Sequence, residues 1–181
     1  MRKLLALATA LTLVLLLSVG QANAQTYPVV VDRTAVTLTY MPFGGLSSFS
    51  GAVSYQFNAN WDALVSYRSG PGTGFTQFSL GGRYHLRPPS PQFDVYATAR
   101  YVSPSAPAAS YFQVGGGLTQ TLAPGLKAYA VLDYSFLPGG AIIFYNTGVQ
   151  YELSRQSSLV AGYDGFLGVG YLGIAFDFAS R

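Results

Sequence analysis

A small set of ionisable side chains could support acid–base chemistry in this chain. His85 is the only histidine; Arg83 precedes it closely, and Asp62 and Asp94 stand in the neighbouring segments. A histidine held by carboxylates can act as a general base. The same four residues can instead form ion pairs in a narrow interior, because charges removed from water must be paired. We favour the structural interpretation, since the connection after His85 is short and the remaining connections are too short to form a cleft.

Counting residues outwards from the turns predicts which charges meet. The predicted pairs are Asp62 with Arg83, Asp94 with Arg83 and His85, Lys127 with Glu152, and Asp177 with Arg33 if the last segment pairs with the first. The predicted network of enclosed charges is Arg33, Asp62, Arg83, His85, Asp94, Lys127, Glu152 and Asp177. For this network we prefer packing of a narrow interior to a proton relay or a substrate site.

Two other signatures of chemistry are weak. Residues 168–173 read GVGYLG and match the dinucleotide pattern G-x-G-x-x-G, but that pattern requires a following helix, and no helical period follows here. The glycines fit bending or close packing of a strand better. Without cysteine and with a single histidine, no disulfide and no thiolate or histidine-cluster metal site can form. We predict no cofactor and no metal, with only a carboxylate site left open.

The elements that must position the charges are β-strands. Apolar and polar residues alternate with a period of two in ten segments separated by Gly, Pro, Asn and Ser, and no segment has a 3.6-residue period. The segments are 33–42, 48–58, 61–69, 75–86, 92–102, 110–122, 126–136, 141–153, 157–165 and 169–178. They predict an all-β fold, a transmembrane antiparallel up-and-down β-barrel of ten strands, with eight strands as the alternative.

The N-terminus carries the pattern of an export signal. Arg2 and Lys3 precede an apolar run from Leu4 to Val19, and Ala22 to Ala24 supply an A-x-A cleavage site. We therefore predict a signal peptide over residues 1–24 and a barrel domain over residues 25–181. The chain without its signal is close to neutral, which excludes nucleic acid as an expected partner.

The composition indicates which face of the sheet meets water. Only 9% of the residues are charged, whereas soluble domains carry about 25%. The apolar face carries no charge, and its aromatic residues gather at the two ends of the strands, as a bilayer's interfaces select. We predict that the apolar face meets lipid. The predicted interface aromatics are Tyr40, Phe57, Trp61, Tyr67, Tyr84, Phe93, Tyr101, Phe112, Tyr134, Tyr151, Tyr163 and Phe178.

With these features the sequence resembles the small bacterial outer-membrane β-barrel proteins, a broad class. The most specific part is the last strand, in which Gly173, Ile174, Phe176 and Phe178 resemble the C-terminal signal read by the outer-membrane assembly machinery. Ala179 to Arg181 follow the final phenylalanine, where members of the class usually end. The resemblance implies a bacterial outer-membrane location, with outer-membrane lipid and the assembly machinery as partners.

A ten-stranded barrel is too narrow for the open channel of porins with sixteen or more strands. We therefore expect a largely occluded polar lumen with a structural or interaction role, and no enzymatic activity. The alternatives are a narrow pore for small solutes and, with less support, a lipid-modifying enzyme that would depend on His85. The short turns near Asn58, Pro89, Ala123 and Arg155 are expected to face the periplasm together with both termini. The sequence indicates no oligomeric state.

Overall fold

A computed structural model describes residues 31–43, 46–70, 76–86, 92–105 and 108–178. The predicted signal peptide, the turns around Gly72 and Pro89, and the last three residues lie outside these ranges. Ten strands form the molecule, as predicted, rather than eight. They are β1 (Ala35–Phe43), β2 (Leu46–Gln56), β3 (Trp61–Ser69), β4 (Thr76–His85), β5 (Phe93–Pro104), β6 (Tyr111–Ala123), β7 (Leu126–Leu137), β8 (Gly140–Ser154), β9 (Ser157–Asp164) and β10 (Val169–Asp177).

The strands form a closed antiparallel barrel in which each strand pairs with its neighbours in sequence. The last strand closes against the first, with Val36 opposite Phe176 and Tyr40 opposite Leu172. Closure satisfies both edges of the sheet, which a structure inside a bilayer requires. The predicted all-β up-and-down barrel is therefore confirmed. We call the end at which β1 begins and β10 ends the near rim, and the opposite end the far rim.

Among the described residues, no helix has the length and apolar character needed to cross a membrane.

The two faces of the sheet are inverted relative to a water-soluble protein. Leu38, Leu132 and Leu172 on the outer face are 50%, 53% and 60% exposed, whereas Asp62 and Arg83 on the inner face are 0% and 2% exposed. Alternation sends every second side chain outward, so each strand contributes to both surfaces. The outer surface is apolar, and the lumen holds the charges.

The middle of the lumen contains a layer of aromatic side chains. Three buried tyrosines lie opposite glycines of the adjacent strand in the pairs Tyr96–Gly117, Tyr129–Gly148 and Tyr171–Gly162. A Cβ atom at any of these glycines would overlap the facing tyrosine. The glycines therefore give the rings room along the inner wall. They serve packing of the barrel, as expected for glycine in a strand that another group approaches closely.

Candidate functional site

The charged network at the near rim begins with a cross-strand pair. Asp62 at the start of β3 lies directly opposite Arg83 near the end of β4, and the guanidinium donates Nε and Nη2 hydrogen bonds to Oδ2 at 2.8 and 2.7 Å. Arg33 binds the other carboxylate oxygen, with Nη2 at 2.7 Å and Nε at 2.9 Å from Oδ1. Asp62 is fully buried, so the two guanidinium groups replace the water that its charge has lost.

His85 is held between two carboxylates. Its Nε2 lies 2.8 Å from Asp62 Oδ2, and its Nδ1 lies 2.8 Å from Asp94 Oδ2. An ionised carboxylate can only accept a hydrogen bond, so both ring nitrogens donate when both aspartates are ionised. A histidine in that arrangement has no free lone pair with which to take a proton from a substrate. The geometry is that of a buried ion-pair cluster.

Arg83 connects this cluster to the rest of the lumen. Its guanidinium carbon lies 5.0 Å from the centre of the Tyr96 ring, within the range of a cation–π interaction. Its Nη2 also donates to the backbone carbonyl of Asp32 at 3.2 Å. One arginine thus contacts the opposite carboxylate, the aromatic layer and the segment that precedes β1.

That segment contains a residue which the sequence analysis did not identify. The Asp32 carboxylate accepts a 2.5 Å hydrogen bond from Lys127 Nζ on β7 and a short one from the Gln150 amide on β8. Its carbonyl accepts the Ser54 hydroxyl of β2 at 2.7 Å. Asp32 precedes the first strand, so no strand period indicated which wall it would face. Its position beside Arg33 was the only available signal.

The structure corrects the predicted partners of Lys127 and Arg33. Lys127 was expected near Glu152, but a two-residue turn at Pro138 and Gly139 joins β7 to β8 and places Gln150 opposite it. Glycine suits this turn because its φ here is 94°. The Glu152 side chain is exposed. The predicted turn over residues 137–140 has the same centre as the observed one, so strict counting pairs Lys127 with Gln150, and Glu152 lies two residues further along β8.

Arg33 was expected near Asp177 and instead binds Asp62. Asp177 lies opposite Ala35 in the seam between β10 and β1, with a half-buried side chain. The reason is that Arg33 precedes β1 and turns across the rim, so its position does not follow the ladder. It also donates to the backbone carbonyls of Ala59 at 2.7 Å and Asn58 at 3.0 Å, both in the turn between β2 and β3.

A second ion pair lies in the far half of the lumen. Arg68 on β3 and Asp164 on β9 are both fully buried, and Nη1 lies 3.8 Å from Oδ2. Arg68 Nε also donates to Ser48 Oγ at 3.2 Å, and Asp164 Oδ1 accepts the backbone N–H groups of Phe166 and Leu167 at 3.1 and 3.0 Å. Alternation predicts both residues as inward facing, but only the barrel's closure brings them together.

Between the two ion-pair regions lies a cluster of buried side chains. The hydroxyl oxygens of Tyr129 and Tyr171 lie 2.5 Å apart, and Tyr171 donates to Asn146 at 2.5 Å. Val131 and Val160 are buried in the same cluster. A cavity of about 20 Å³ beside Arg83 and Tyr96, among other residues, has room for about a single water molecule. Buried tyrosine and valine side chains therefore occupy the part of the lumen between the two ion-pair regions.

The aromatic residues predicted at the membrane interfaces lie on the outer face near the two rims. All of them are exposed except Tyr163, which is half-buried. Some pack against each other across strands, with ring centres 4.8 Å apart for Trp61 and Tyr84 and 5.4 Å apart for Tyr101 and Phe112. The outer face adds exposed aromatics that were not in the predicted set: Phe49, Tyr55, Phe78, Phe136 and Phe176.

The residues of the predicted assembly signal lie in β10, which closes the barrel, except Phe178, which directly follows it. Phe176 and Phe178 are exposed on the outer face, and Ile174 lies opposite Leu38 of β1. A Cβ atom at Gly173 would overlap the carbonyl of Leu38 and the side chain of Thr39. Gly173 is therefore needed for close approach of β10 to β1, whether or not the machinery reads it.

Within the described ranges, no group of three or more His, Cys, Asp or Glu residues could hold a metal ion.

A closed antiparallel barrel that is apolar outside and ion-paired inside is built like the bacterial outer-membrane β-barrels. Solved structures with this fold include the KdgM porin, with a TM-score of 0.55 and 10% identity over 80% of this chain and 99% of that chain. The KdgM porin in complex with disordered oligogalacturonate has a TM-score of 0.52 and 11% identity, with the same coverage. These identities establish a shared fold and nothing about ligands.

A further structure in the comparison is the N-terminal β-barrel domain of Pseudomonas aeruginosa OprF, with a TM-score of 0.48 and 14% identity over 78% of this chain and 94% of that chain. No protein-family model matches the sequence. No characterised protein sequence matches it at a significant level. The chain therefore belongs to a broad structural class and is assigned to no single family.

Proposed function

We propose that the protein is an integral outer-membrane β-barrel whose lumen is occluded, with a structural or interaction role in the membrane. The observation that carries this proposal is the ion-paired network of Asp62, Arg83 and His85, which is at most 2% exposed at the near rim. Water-filled channels require wider barrels than ten strands normally form. Here the side chains leave room for about one water molecule beside Arg83.

The same surfaces support the proposed location in the outer membrane. The apolar outer face and its rim aromatics suit a bilayer, and a porin shares the fold. We take residues 1–24 as a signal peptide and residues 25–181 as the barrel domain. The near rim then faces the periplasm. Outer-membrane lipid contacts the outer face, and the assembly machinery reads Gly173, Ile174, Phe176 and Phe178.

A non-catalytic role is supported by the surroundings of His85. Both of its nitrogens are directed at carboxylates, and a substrate would need space that the packed lumen lacks. A lipid-modifying enzyme would need a histidine free to exchange a proton with a substrate group. Replacement of His85 by Gln should therefore change barrel stability and leave lipid composition unchanged.

A narrow pore for small solutes is the second candidate. The observation in its favour is the fold likeness to the KdgM porin. In such a pore, solutes would pass only if the near-rim network and the Arg68–Asp164 pair both opened. Because each layer is made of buried ion pairs, opening would have to leave charges unpaired or hydrated. A structural or interaction role of an occluded barrel is therefore better supported than a pore.

Planar-bilayer recording of the unmodified protein tests the proposal. The occluded barrel is expected to give no steady conductance, with folding of the inserted protein verified by its resistance to unfolding in unheated gel samples. A porin with sixteen strands serves as the control for insertion and detection. A large, steady and ion-selective conductance would overturn the proposal and favour the pore.

A further inference from the structure

Residues 31–33, which we call the strap, cross the near rim without joining the sheet. The strap precedes β1, which begins at Ala35, and its backbone forms bends. Val31 is 8% exposed and packs into the apolar cluster of the lumen that contains Tyr96 and Tyr129. A short segment with no ladder hydrogen bonds is held only by the contacts that its own groups make.

The strap contacts strands on different sides of the barrel. Asp32 accepts hydrogen bonds from Lys127 on β7 and Gln150 on β8 through its carboxylate, and from Ser54 on β2 and Arg83 on β4 through its carbonyl. The strap therefore spans the near rim from one wall to the other. Any path through this rim must displace it.

The groups that hold the Asp32 side chain form a carboxylate site. An ammonium and an amide N–H donate to its two oxygens separately, with Lys127 Nζ on Oδ1 and Gln150 Nε2 on Oδ2. Charge-assisted donors of this kind recognise carboxylates generally. Gln150 is buried and fixed in its strand. The donors belong to the barrel wall, whereas the acceptor belongs to the strap.

Water reaches this pair more readily than the pairs deeper in the lumen. The Lys127 and Asp32 side chains are 40% and 14% exposed, whereas the side chains of Asp62 and His85 are fully buried. Breaking a partly solvated ion pair costs less free energy than removing one partner from a buried ion pair. The Asp32 side chain can therefore leave Lys127 and Gln150 at a lower free-energy cost than the Asp62 cluster can open. Arg33, the last residue of the strap, keeps its contacts with Asp62.

We propose that Lys127 and Gln150 form a binding site for small carboxylate solutes, which the strap occupies with Asp32 as an internal ligand. A solute carboxylate that enters from the near rim competes with Asp32 and releases Val31 and Asp32 from the lumen, while Arg33 stays bound to Asp62. This inference deepens the proposed function and rests on it, because the strap can regulate access to the lumen only if the barrel is otherwise occluded at the near rim. Binding of a solute at this site would therefore control whether the strap covers the near rim.

Thiol labelling of the full barrel in lipid nanodiscs tests the site. The chain has no cysteine, so Val31→Cys introduces a single thiol at a buried strap position. It should be labelled much more slowly than the matched control Gln156→Cys, an exposed turn position at the same rim. Adding Lys127→Gln should raise the Val31→Cys labelling rate about threefold, as expected for loss of a partly solvated ion pair.

Succinate is the probe for the solute, and chloride at equal ionic strength is its control. Succinate should accelerate labelling of Val31→Cys in the parent protein, and it should have no further effect once Lys127→Gln is present. Three results would each overturn the site: equal labelling of Val31→Cys and Gln156→Cys, no effect of Lys127→Gln, or equal effects of succinate and chloride. A conducting wild type with a protected strap would overturn only the occluded-barrel proposal.

A second measurement keeps the site testable if Val31→Cys does not fold. Replacement of Asp32 by Ala removes the internal ligand and leaves the donors in place. Succinate should then raise the thermal unfolding midpoint of Asp32→Ala, because a ligand stabilises the state that it binds. It should not do so when Asp32→Ala is combined with Lys127→Gln. The same shift in both variants would contradict the assignment.

Discussion

Arg68 and Asp164 form an ion pair across the lumen although their strands, β3 and β9, are not neighbours in the barrel. Both side chains are fully buried, 3.8 Å apart between Nη1 and Oδ2. A pair of this kind fixes the distance between two walls, which the ladder between adjacent strands cannot do. Together with the near-rim network, it places one charged contact toward each end of an apolar and tyrosine-rich middle.

Replacing Arg68 by Met should destabilise the barrel strongly. The change leaves the Asp164 carboxylate buried without its partner, and breaking a buried pair costs about 3 to 5 kcal/mol, or less if water enters. The double variant Arg68→Met with Asp164→Asn should recover part of the loss. Urea unfolding in lipid bilayers provides the measurement. The exposed turn residue Arg155, replaced by Ala, serves as the control and should change little.

The single variant Asp164→Asn completes the comparison. If the loss of unfolding free energy in the double variant equalled the sum of the losses in the two single variants, Arg68 and Asp164 would not interact across the lumen.

Leu132 and its neighbour Asp133 provide a test of which face meets lipid. Leu132 is 53% exposed and Asp133 is 7% exposed. A charge on the lipid face near the bilayer midplane costs about 2 to 4 kcal/mol, so Leu132→Arg should lower the free energy of unfolding by that amount. Asp133→Asn keeps the size of the side chain and stays in the lumen beside Thr98, so its effect should be smaller.

The same bilayer unfolding assay compares the two variants. If Asp133→Asn were the more damaging change, the face that carries Leu132 would line the interior and not meet lipid.

Gly148 tests the packing of tyrosine against glycine in the lumen. A Cβ atom there would overlap Tyr129 and the carbonyl of Ala161, so Gly148→Ala should destabilise the barrel by about 1 to 3 kcal/mol, the usual effect of overpacking. Gly140 at the start of β8 has nothing within 4 Å of an added Cβ. Gly140→Ala is therefore the matched control and should be close to neutral.

A stable Gly148→Ala barrel, with an unfolding midpoint equal to that of Gly140→Ala, would contradict the packing that we describe.

The strand arrangement was predictable from the sequence because a membrane barrel demands alternation along every strand. A side chain that faces lipid must be apolar, and its neighbour must fill the lumen, so Leu132 and Asp133 already indicate their faces. Contacts across the lumen were not predictable. Arg68 and Asp164 meet only because of the tilt and closure of the sheet, which no local pattern encodes.

Register was the other limit of sequence reasoning. The predicted partner of Lys127 was displaced by two residues along β8, from Gln150 to Glu152, and a shift of two keeps every side chain on its face. The alternation therefore could not reveal the error. Asp32 was missed for a related reason: it precedes β1, where no period applies.

The orientation of the barrel can be tested by cysteine labelling on intact cells. If the near rim faces the periplasm, Ala108→Cys at the far rim should react with an impermeant thiol reagent, and Gln156→Cys should not. Both side chains are exposed, so accessibility in the isolated protein is matched. Lysed cells should label both positions equally. Labelling of Gln156→Cys alone on intact cells would mean that the near rim faces the outside of the cell.

Arg83 is the residue whose loss should most affect occlusion of the lumen. It binds Asp62, lies against the Tyr96 ring and donates to the strap carbonyl of Asp32. Arg83→Ala removes all three contacts and leaves a space where its guanidinium was, so water can enter beside the Asp62 carboxylate. We expect brief openings in planar bilayers.

The matched control is Arg155→Ala, which removes an exposed arginine from a turn at the same rim. It should be as silent as the unmodified barrel. Arg83→Lys should restore much of the closure, since an ammonium still pairs with Asp62, although it cannot make the two parallel contacts of a guanidinium. If Arg83→Ala were folded and as silent as Arg155→Ala, the barrier would lie in the tyrosine layer around Tyr129 or at the Arg68–Asp164 pair, and the near-rim charges would only stabilise the fold.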